Sequence, residues 1–333
     1  MGGMTNVTVL GAGAWGTGFG RVVADAGNDV TMWAIEPEIV ADIRENHQNS
    51  YRLPAAGTLP ANMTATGDRA EAVKNAEIIV VAIAAQFARV ALQEFKDLIP
   101  ASAIVVSLMK GVEKNTGKRM DEVVREALDL PASRFVAVSG PNLSKQVALR
   151  QPTGAVVASE NDDAAQAVAD ACRTDYFYPV TSHDVVGVEM AGSLKNVTAL
   201  AVGMSHGAGN GENTAGVIMM MGLNELTRLG EAAGAQAETF QGLAGFGDLV
   251  ATCSSPLSRN YTFGFNLGKG MSIEEATAAS DGVAEGVATT AAVLELAGRL
   301  GVRMPLAEAM NHVLKDGYSF QQMFTALMNA QGE

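Results

Sequence analysis

The first apolar run of the chain ends in a glycine-rich turn, and that turn limits what can follow it. Asn6-Val7-Thr8-Val9-Leu10 reads as a buried strand and passes directly into Gly11-Ala12-Gly13-Ala14-Trp15-Gly16. Thr17 to Ala26 then has the composition of a helix. A strand, a G-x-G-x-x-G turn and a helix in succession form a dinucleotide-binding fingerprint. Gly11 allows the tight turn, Gly13 lets a pyrophosphate approach the backbone, and Gly16 lets the helix pack on the strand. The helix N-terminus offers N–H groups and partial positive charge to that anion, so Ala14 and Trp15 are expected beside the cofactor as well. A second strand-like run, Asp29–Trp33, precedes Glu36, which stands where an acid commonly binds a cofactor ribose. The competing reading of the glycines is an ordinary turn.

Strand-like and helix-like segments alternate from residue 6 to about residue 181. The further candidate strands are Glu77–Ile83, Ala103–Ser107, Arg134–Ser139, Thr153–Ala158 and Phe177–Thr181, and the candidate helices are Gln86–Asp97, Arg119–Leu128 and Asp163–Arg173. Such alternation predicts an α/β domain with a mostly parallel sheet covered on both faces. Strand signals stop after His183, and His183–Val202, Asn213–Ala233, Ser272–Ala278, Val287–Leu300 and Pro305–Leu314 predict an all-helical C-terminal domain. The expected division is 1–190 for dinucleotide binding and 191–333 for a helical substrate-binding and catalytic domain, with a cleft as the default ligand site.

Composition narrows the function. The 333 residues carry 23 basic and 36 acidic side chains, a formal net charge of −13, which disfavours nucleic acid and anionic membranes. An anionic ligand therefore needs a few dedicated Lys or Arg residues. No apolar run reaches the ~18 residues of a membrane span, so no such span is expected. The first residues lack the basic and apolar regions of a signal peptide, which predicts a cytoplasmic protein. Cys172 and Cys253 make no disulfide framework, and the four histidines have no metal spacing, so no metal site is expected.

Three stretches concentrate the chemistry. Val185 to Val202 holds only two charges, Glu189 and Lys195, six residues apart and so unable to pair at i,i+4. Lys195 reads either as a surface lysine snorkelling from its helix or as a partly buried one suited to proton transfer at a carbonyl or alcohol oxygen. Asp248 is the only charge between Glu238 and Arg259, and reads either as the N-cap of a helix starting at Leu249 or as a site carboxylate. Ser258-Arg259-Asn260, placed in a loop after Pro256, suits a phosphate through bidentate arginine contacts, or else is a solvated turn. Lys110 and the turn Ser139-Gly140-Pro141-Asn142 follow candidate strands, and their carboxyl ends face the same ligand crevice in a parallel sheet.

In this order, GAGAWGTG, SLMKGVE, SGPNLSKQVA, EMAGSLKNVTALAVG, TFQGLAGFGDLVATCSSPLSRN and VAEGVATT closely resemble the NAD(P)-dependent glycerol-3-phosphate dehydrogenases of bacterial type. The resemblance implies a Rossmann-type doubly wound sheet followed by an all-helical domain, and reversible reduction of dihydroxyacetone phosphate to sn-glycerol 3-phosphate for phospholipid synthesis. It implies that Lys195 is the catalytic lysine, with Lys110 and Asp248 as its active-site partners. Gly140, Asn142, Ser258, Arg259 and Asn260 then match substrate contacts, with Arg259 also reaching the cofactor. Lys110, Ser144, Val283 and Glu285 match further cofactor contacts. A small phosphorylated triose is the implied partner; a homodimer is the protein partner considered, although no residue pattern reveals the oligomeric state.

The chain departs from its relatives at three places. Ile83-Ala84-Ala85-Gln86 stands where bacterial members commonly have a Val-Pro-Ser turn, Asn142 replaces the more usual Ser or Thr, and Ile35 replaces Arg or His. An apolar Ile35 followed by anionic Glu36 favours NAD over NADP, because a carboxylate accepts from a ribose diol but repels a 2′-phosphate. Arg44 or Arg52, folded back over the site, would reverse that preference. Two rival functions share the pattern: a 3-hydroxyacid dehydrogenase, whose substrate carboxylate would sit on Arg259, and a non-catalytic NADH sensor, which leaves Lys195 and Asp248 without a task.

Overall fold

A computed structural model describes residues 4–114, 116–279 and 284–330. The chain forms two compact units, one running to Lys110 and continuing over Lys118–Val185, the other combining Gly111–Gly117 with everything from Val186 onward. The expected division at residue 190 falls inside a continuous helix, Val185–Gly207, and the units part at the start of that helix instead.

The first unit is built on an eight-stranded sheet: β1 Asn6–Leu10, β2 Asp29–Trp33, β3 Met63–Thr66, β4 Ile78–Val81, β5 Ile104–Ser107, β6 Phe135–Ser139, β7 Thr153–Ala158 and β8 Phe177–Ser182. Their order is β3-β2-β1-β4-β5-β6-β7-β8, parallel throughout except for β6 against β7. Residues such as Ile78-Ile79-Val80-Val81 are buried to the last side chain, as a strand covered on both faces must be. The chain leaves β1 in one direction across the sheet and β4 in the other, so the crevice at their carboxyl ends is where open α/β sheets bind ligands. The helices of this unit are α1 Ala14–Asp25, α2 Pro37–Asn46, α3 Arg69–Val73, α4 Ala88–Gln93, α5 Met120–Leu128, α6 Ser144–Ala148 and α7 Asp162–Cys172. The single helix expected over Gln86–Asp97 is a 3-10 turn, Ala85–Phe87, followed by the shorter α4.

From Val185 onward every described element is helical: α8 Val185–Gly207, α9 Glu212–Ala232, α10 Ala237–Gln241, a π-helical turn Leu243–Gly247, α11 Asp248–Cys253, α12 Arg259–Gly268, α13 Ile273–Ala278, α14 Glu285–Leu300, α15 Pro305–Asp316 and α16 Phe320–Asn329. By length and composition α8 could cross a bilayer, contrary to the expectation that no segment could, but 94% of its apolar window is buried inside the protein. It packs on α12 backbone to backbone. A Cβ at Gly203 or Gly207 would overlap the carbonyls of Tyr261 or Phe265, and one at Gly264 or Gly268 would overlap those of Leu200 or Met204. Two Gly-x-x-x-Gly rows thus face each other's carbonyls, an approach only glycine permits.

Glu225 of α9 is buried beside a water-sized cavity of about 10 Å³ lined by Val197, Gly222, Val293 and Met304. Burial pushes its carboxyl up to about 7, against the backbone N–H groups of Leu306 (2.5 Å) and Ala307 (3.4 Å) at the start of α15, which favour the anion. The folded state therefore binds this proton more tightly than the unfolded chain does. Its stabilisation is complete below the ordinary carboxylate range and is lost as pH rises through about 7. Glu225→Gln is expected to flatten the fall in unfolding free energy over that window by on the order of 3 kcal/mol, read by urea denaturation as a function of pH.

Candidate active site

The glycine turn occupies the carboxyl end of β1. Gly11 has φ +110° and donates its N–H to the Trp33 carbonyl (2.9 Å), and a Cβ on it would meet the Ala82 carbonyl oxygen after β4 at 2.8 Å. Gly16 lies against Gly11 and the Ala82 methyl, so a side chain there would drive α1 off the sheet. Gly13 is different. It is the N-cap of α1, no side chain caps the helix, and a Cβ would meet nothing within 4 Å. The turn thus combines tight packing on one side with open space at a helix N-terminus, which fits a dinucleotide pyrophosphate. Ala14 opens α1 and Trp15 packs edge-on against Phe19, its buried indole Nε1 without a partner among the described residues.

Other expected residues of the first unit lie along the same edge of the sheet. Lys110 follows β5 and donates from Nζ to the Gly140 carbonyl (3.2 Å) after β6. Gly140 has φ +141°, a conformation that turns the chain back over β7, where Asn142 donates from Nδ2 to the Gly154 carbonyl (3.1 Å). Asn142 Oδ1 is buried without a partner among the described residues, an acceptor suited to a substrate hydroxyl. Ser144 begins α6, which packs along α1. Glu36 is the N-cap of α2 and accepts from Arg52 Nη2 at 3.0 Å.

The second unit resolves the alternatives left by the sequence. Lys195 does not snorkel: its side chain is 9% exposed and pairs with Asp248, whose own is 3% exposed. Asp248 does not cap α11 either; Gly247 is the N-cap, and the carboxylate turns to Lys195. The Lys195 ammonium also donates to Thr252 Oγ1 at 2.7 Å, and that hydroxyl donates to Asp248 Oδ1 at 3.3 Å. Burial disfavours the ammonium while the carboxylate favours it, so the cluster can keep a proton donor in a dry setting. Thr252 was not foreseen. Its position one helical turn after Asp248 is the signal from which it could have been found.

Ser258-Arg259-Asn260 is not a loop. Ser258 is the N-cap of α12 and accepts from the Tyr261 N–H (3.3 Å), so Arg259 and Asn260 form its first turn. Asn260 is buried and accepts from the Gly286 N–H (2.8 Å), while exposed Arg259 pairs with Glu285 (3.0 Å), the first residue of α14. Gly286 also borders the Asn196 carbonyl, next to Lys195, so these residues share one neighbourhood. Val283 lies outside the described residues. The described residues include no group of three His, Cys, Asp or Glu side chains placed to hold a metal ion.

Comparison with known proteins bears on both units. The family profile described as NAD-dependent glycerol-3-phosphate dehydrogenase N-terminus matches residues 6–165, and the one described as its C-terminus matches residues 184–325. A glycerol-3-phosphate dehydrogenase (NAD(P)+) of Bifidobacterium longum subsp. infantis is 67% identical over 322 residues, 97% of either chain. One from Corynebacterium glutamicum is 47% identical over 98% of either chain. The solved structure of glycerol-3-phosphate dehydrogenase from Coxiella burnetii, 31% identical, aligns over 99% of both chains with a TM-score of 0.91.

The buried pair makes a test independent of any reaction. Asp248→Ala removes the buried carboxylate that pairs with the Lys195 ammonium and is expected to destabilise the fold by about 3–5 kcal/mol. The double variant Lys195→Met/Asp248→Ala should recover much of that loss, as measured by urea denaturation.

Proposed function

The chain belongs to the NAD-dependent glycerol-3-phosphate dehydrogenase family, and from that premise we propose how its residues divide the reaction. The enzyme is an oxidoreductase that reversibly reduces dihydroxyacetone phosphate to sn-glycerol 3-phosphate with NAD(P)H. Its role in glycerophospholipid synthesis follows from that product. Family membership sets aside both the 3-hydroxyacid dehydrogenase and the silent sensor.

The bound nicotinamide supplies the hydride that reaches C2 of the triose; the chain must do the rest. We assign Lys195 as proton donor to the C2 oxygen and, in the reverse direction, as the base that takes that proton back. The buried contact with Asp248 and Thr252 is the observation that carries this assignment, because it holds a cation ready where alkoxide charge develops. We assign Lys110, with its ammonium on the Gly140 carbonyl, as a second active-site cation, and Gly140 and Asn142 as substrate contacts. Ser258, Arg259 and Asn260 anchor the phosphate at the N-terminus of α12, where N–H groups and a guanidinium meet a dianion. Binding so far from the reacting carbon restricts geometry at that carbon. Gly11, Gly13, Ala14, Trp15, Gly16, Glu36 and Ser144 hold the cofactor, joined by Lys110, Arg259, Glu285 and Val283. We also place the enzyme in the cytoplasm without membrane or nucleic-acid partners, a reading supported by its acidity and its two free buried thiols.

Purified enzyme is expected to consume NADH with dihydroxyacetone phosphate and not with a 3-oxoacid. Lys195→Ala should lower kcat by about 10²–10⁴-fold with little change in substrate affinity, and Thr252→Val by about tenfold. A kcat within about fivefold of wild type for Lys195→Ala would demote the lysine to a structural role. Arg259→Ala should raise KM for the phosphorylated substrate strongly, and Arg259→Lys should fail to restore it, since a point charge lacks the guanidinium fork. Steady-state kinetics on both variants decides the phosphate assignment.

A further inference from the structure

We infer that Ser193 and Arg299 are positioning residues for Lys110: together they pin the segment Gly111–Gly117 to the second unit and so fix the main chain that follows Lys110. The inference rests on the reading of Lys110 as an active-site cation. The first unit breaks off at Lys110 and resumes at Lys118, while the residues between them, although they follow β5 in sequence, belong with the helices. Two side chains of the second unit hold them there.

The first tie is at Gly111. Its backbone has φ +128°, and its N–H donates to Ser193 Oγ at 2.9 Å. Ser193 is 2% exposed on α8, and its hydroxyl donates to the Glu189 carbonyl one turn earlier, at 2.8 Å. A serine hydroxyl has one proton to give and two lone pairs to offer. With the proton committed to the helix, the oxygen is left to accept, and the Gly111 N–H is the donor it takes. Gly111 is itself buried, so substitution of the serine by an apolar residue strips this N–H of its partner away from water. Ser193 stands two residues before Lys195, so the helix that carries the proposed proton donor also holds the main chain next to the second cation.

The second tie is at the far end of the segment. Arg299 of α14 donates from Nη1 to the Thr116 carbonyl at 3.0 Å, and its guanidinium fills the space that a Cβ on Gly117 would need. Gly117, at φ +64°, donates its N–H to the Glu113 carbonyl (2.9 Å), and Thr116 Oγ1 donates to the Glu113 carboxylate (2.6 Å), so a closed turn meets the arginine. Glu295 steadies the guanidinium from its own helix at 3.6 Å.

Lys110 is thereby held at two points. Its ammonium rests on the Gly140 carbonyl (3.2 Å), and the residue after it is fixed to α8. A lysine side chain is long and freely rotating, so its head is only as well placed as the main chain that carries it. For a cation that acts on substrate, a displacement of about 1 Å is enough to slow the reaction. Ser193 and Arg299 act through Lys110 and need no contact with the substrate themselves.

Steady-state kinetics of the full-length enzyme, with and without Lys110, tests this. Ser193→Ala is expected to lower kcat/KM for dihydroxyacetone phosphate by about tenfold and Arg299→Ala by about fivefold, while Ser193→Thr, which keeps the hydroxyl, stays within about twofold of wild type. In a Lys110→Ala background the two alanine substitutions should each cost less than about twofold, because a residue that acts through Lys110 has nothing left to position. Losses of equal size in both backgrounds would overturn the inference and place the effect on Lys195 or on the fold at large. So would a kcat/KM within about twofold of wild type for Ser193→Ala, or a loss in Ser193→Thr matching that in Ser193→Ala. If urea denaturation shows that Ser193→Ala does not fold, Arg299→Ala, cut at a side chain 43% exposed, decides by the same pair of backgrounds. An undiminished kcat/KM in Lys110→Ala alone would overturn instead the reading of Lys110 beneath the inference.

Discussion

The second unit is organised around two charges kept out of water. Lys195 of α8 and Asp248 of α11 lie 53 residues apart in sequence, and their pairing offsets the cost of burying both charges. The pair therefore fixes α11 against α8 and orients the ammonium through Thr252 as well. Such a pair adds little net stability compared with apolar packing, since desolvation consumes most of the attraction. In the role proposed for Lys195, what it would provide is a cation preorganised for a developing oxyanion, with little solvent to rearrange when that charge appears.

An acidic protein that must bind anions faces a field working against it. The groups proposed to meet those anions are each backed by a backbone dipole or a neighbour: the uncapped start of α1, Lys110 on the Gly140 carbonyl, and Arg259 in the first turn of α12. Two of the arginines are already paired with glutamates, Arg52 with Glu36 and Arg259 with Glu285. Both pairs are exposed, so neither holds its arginine tightly.

Much of the fold was legible because parallel strands buried on both faces are written as apolar runs, and six of the seven expected strands match to within one residue at each end. β3 was not legible: Met-Thr-Ala-Thr at a sheet edge is too short and too polar to stand out. Nor was α12, whose Gly264 and Gly268 and single asparagines read as loop because their reason is a neighbouring helix rather than their own propensity. The candidate residues were visible as isolated charges in apolar surroundings, but their partners were not. That Asp248 serves Lys195 instead of capping α11, and that Arg52 turns onto Glu36, depends on contacts far apart in sequence.

The facing glycine rows of α8 and α12 set one further property of the enzyme. Lys195 is carried by one of these helices and Arg259 by the other, and the two are separated by main chain alone where they cross. Side chains between helices act as springs, because rotamers can change and let elements slide. Main chain in direct contact has no such freedom. The helices that carry Lys195 and Arg259 are thereby locked in register, so the roles proposed for these two residues would be played from backbone held at one spacing.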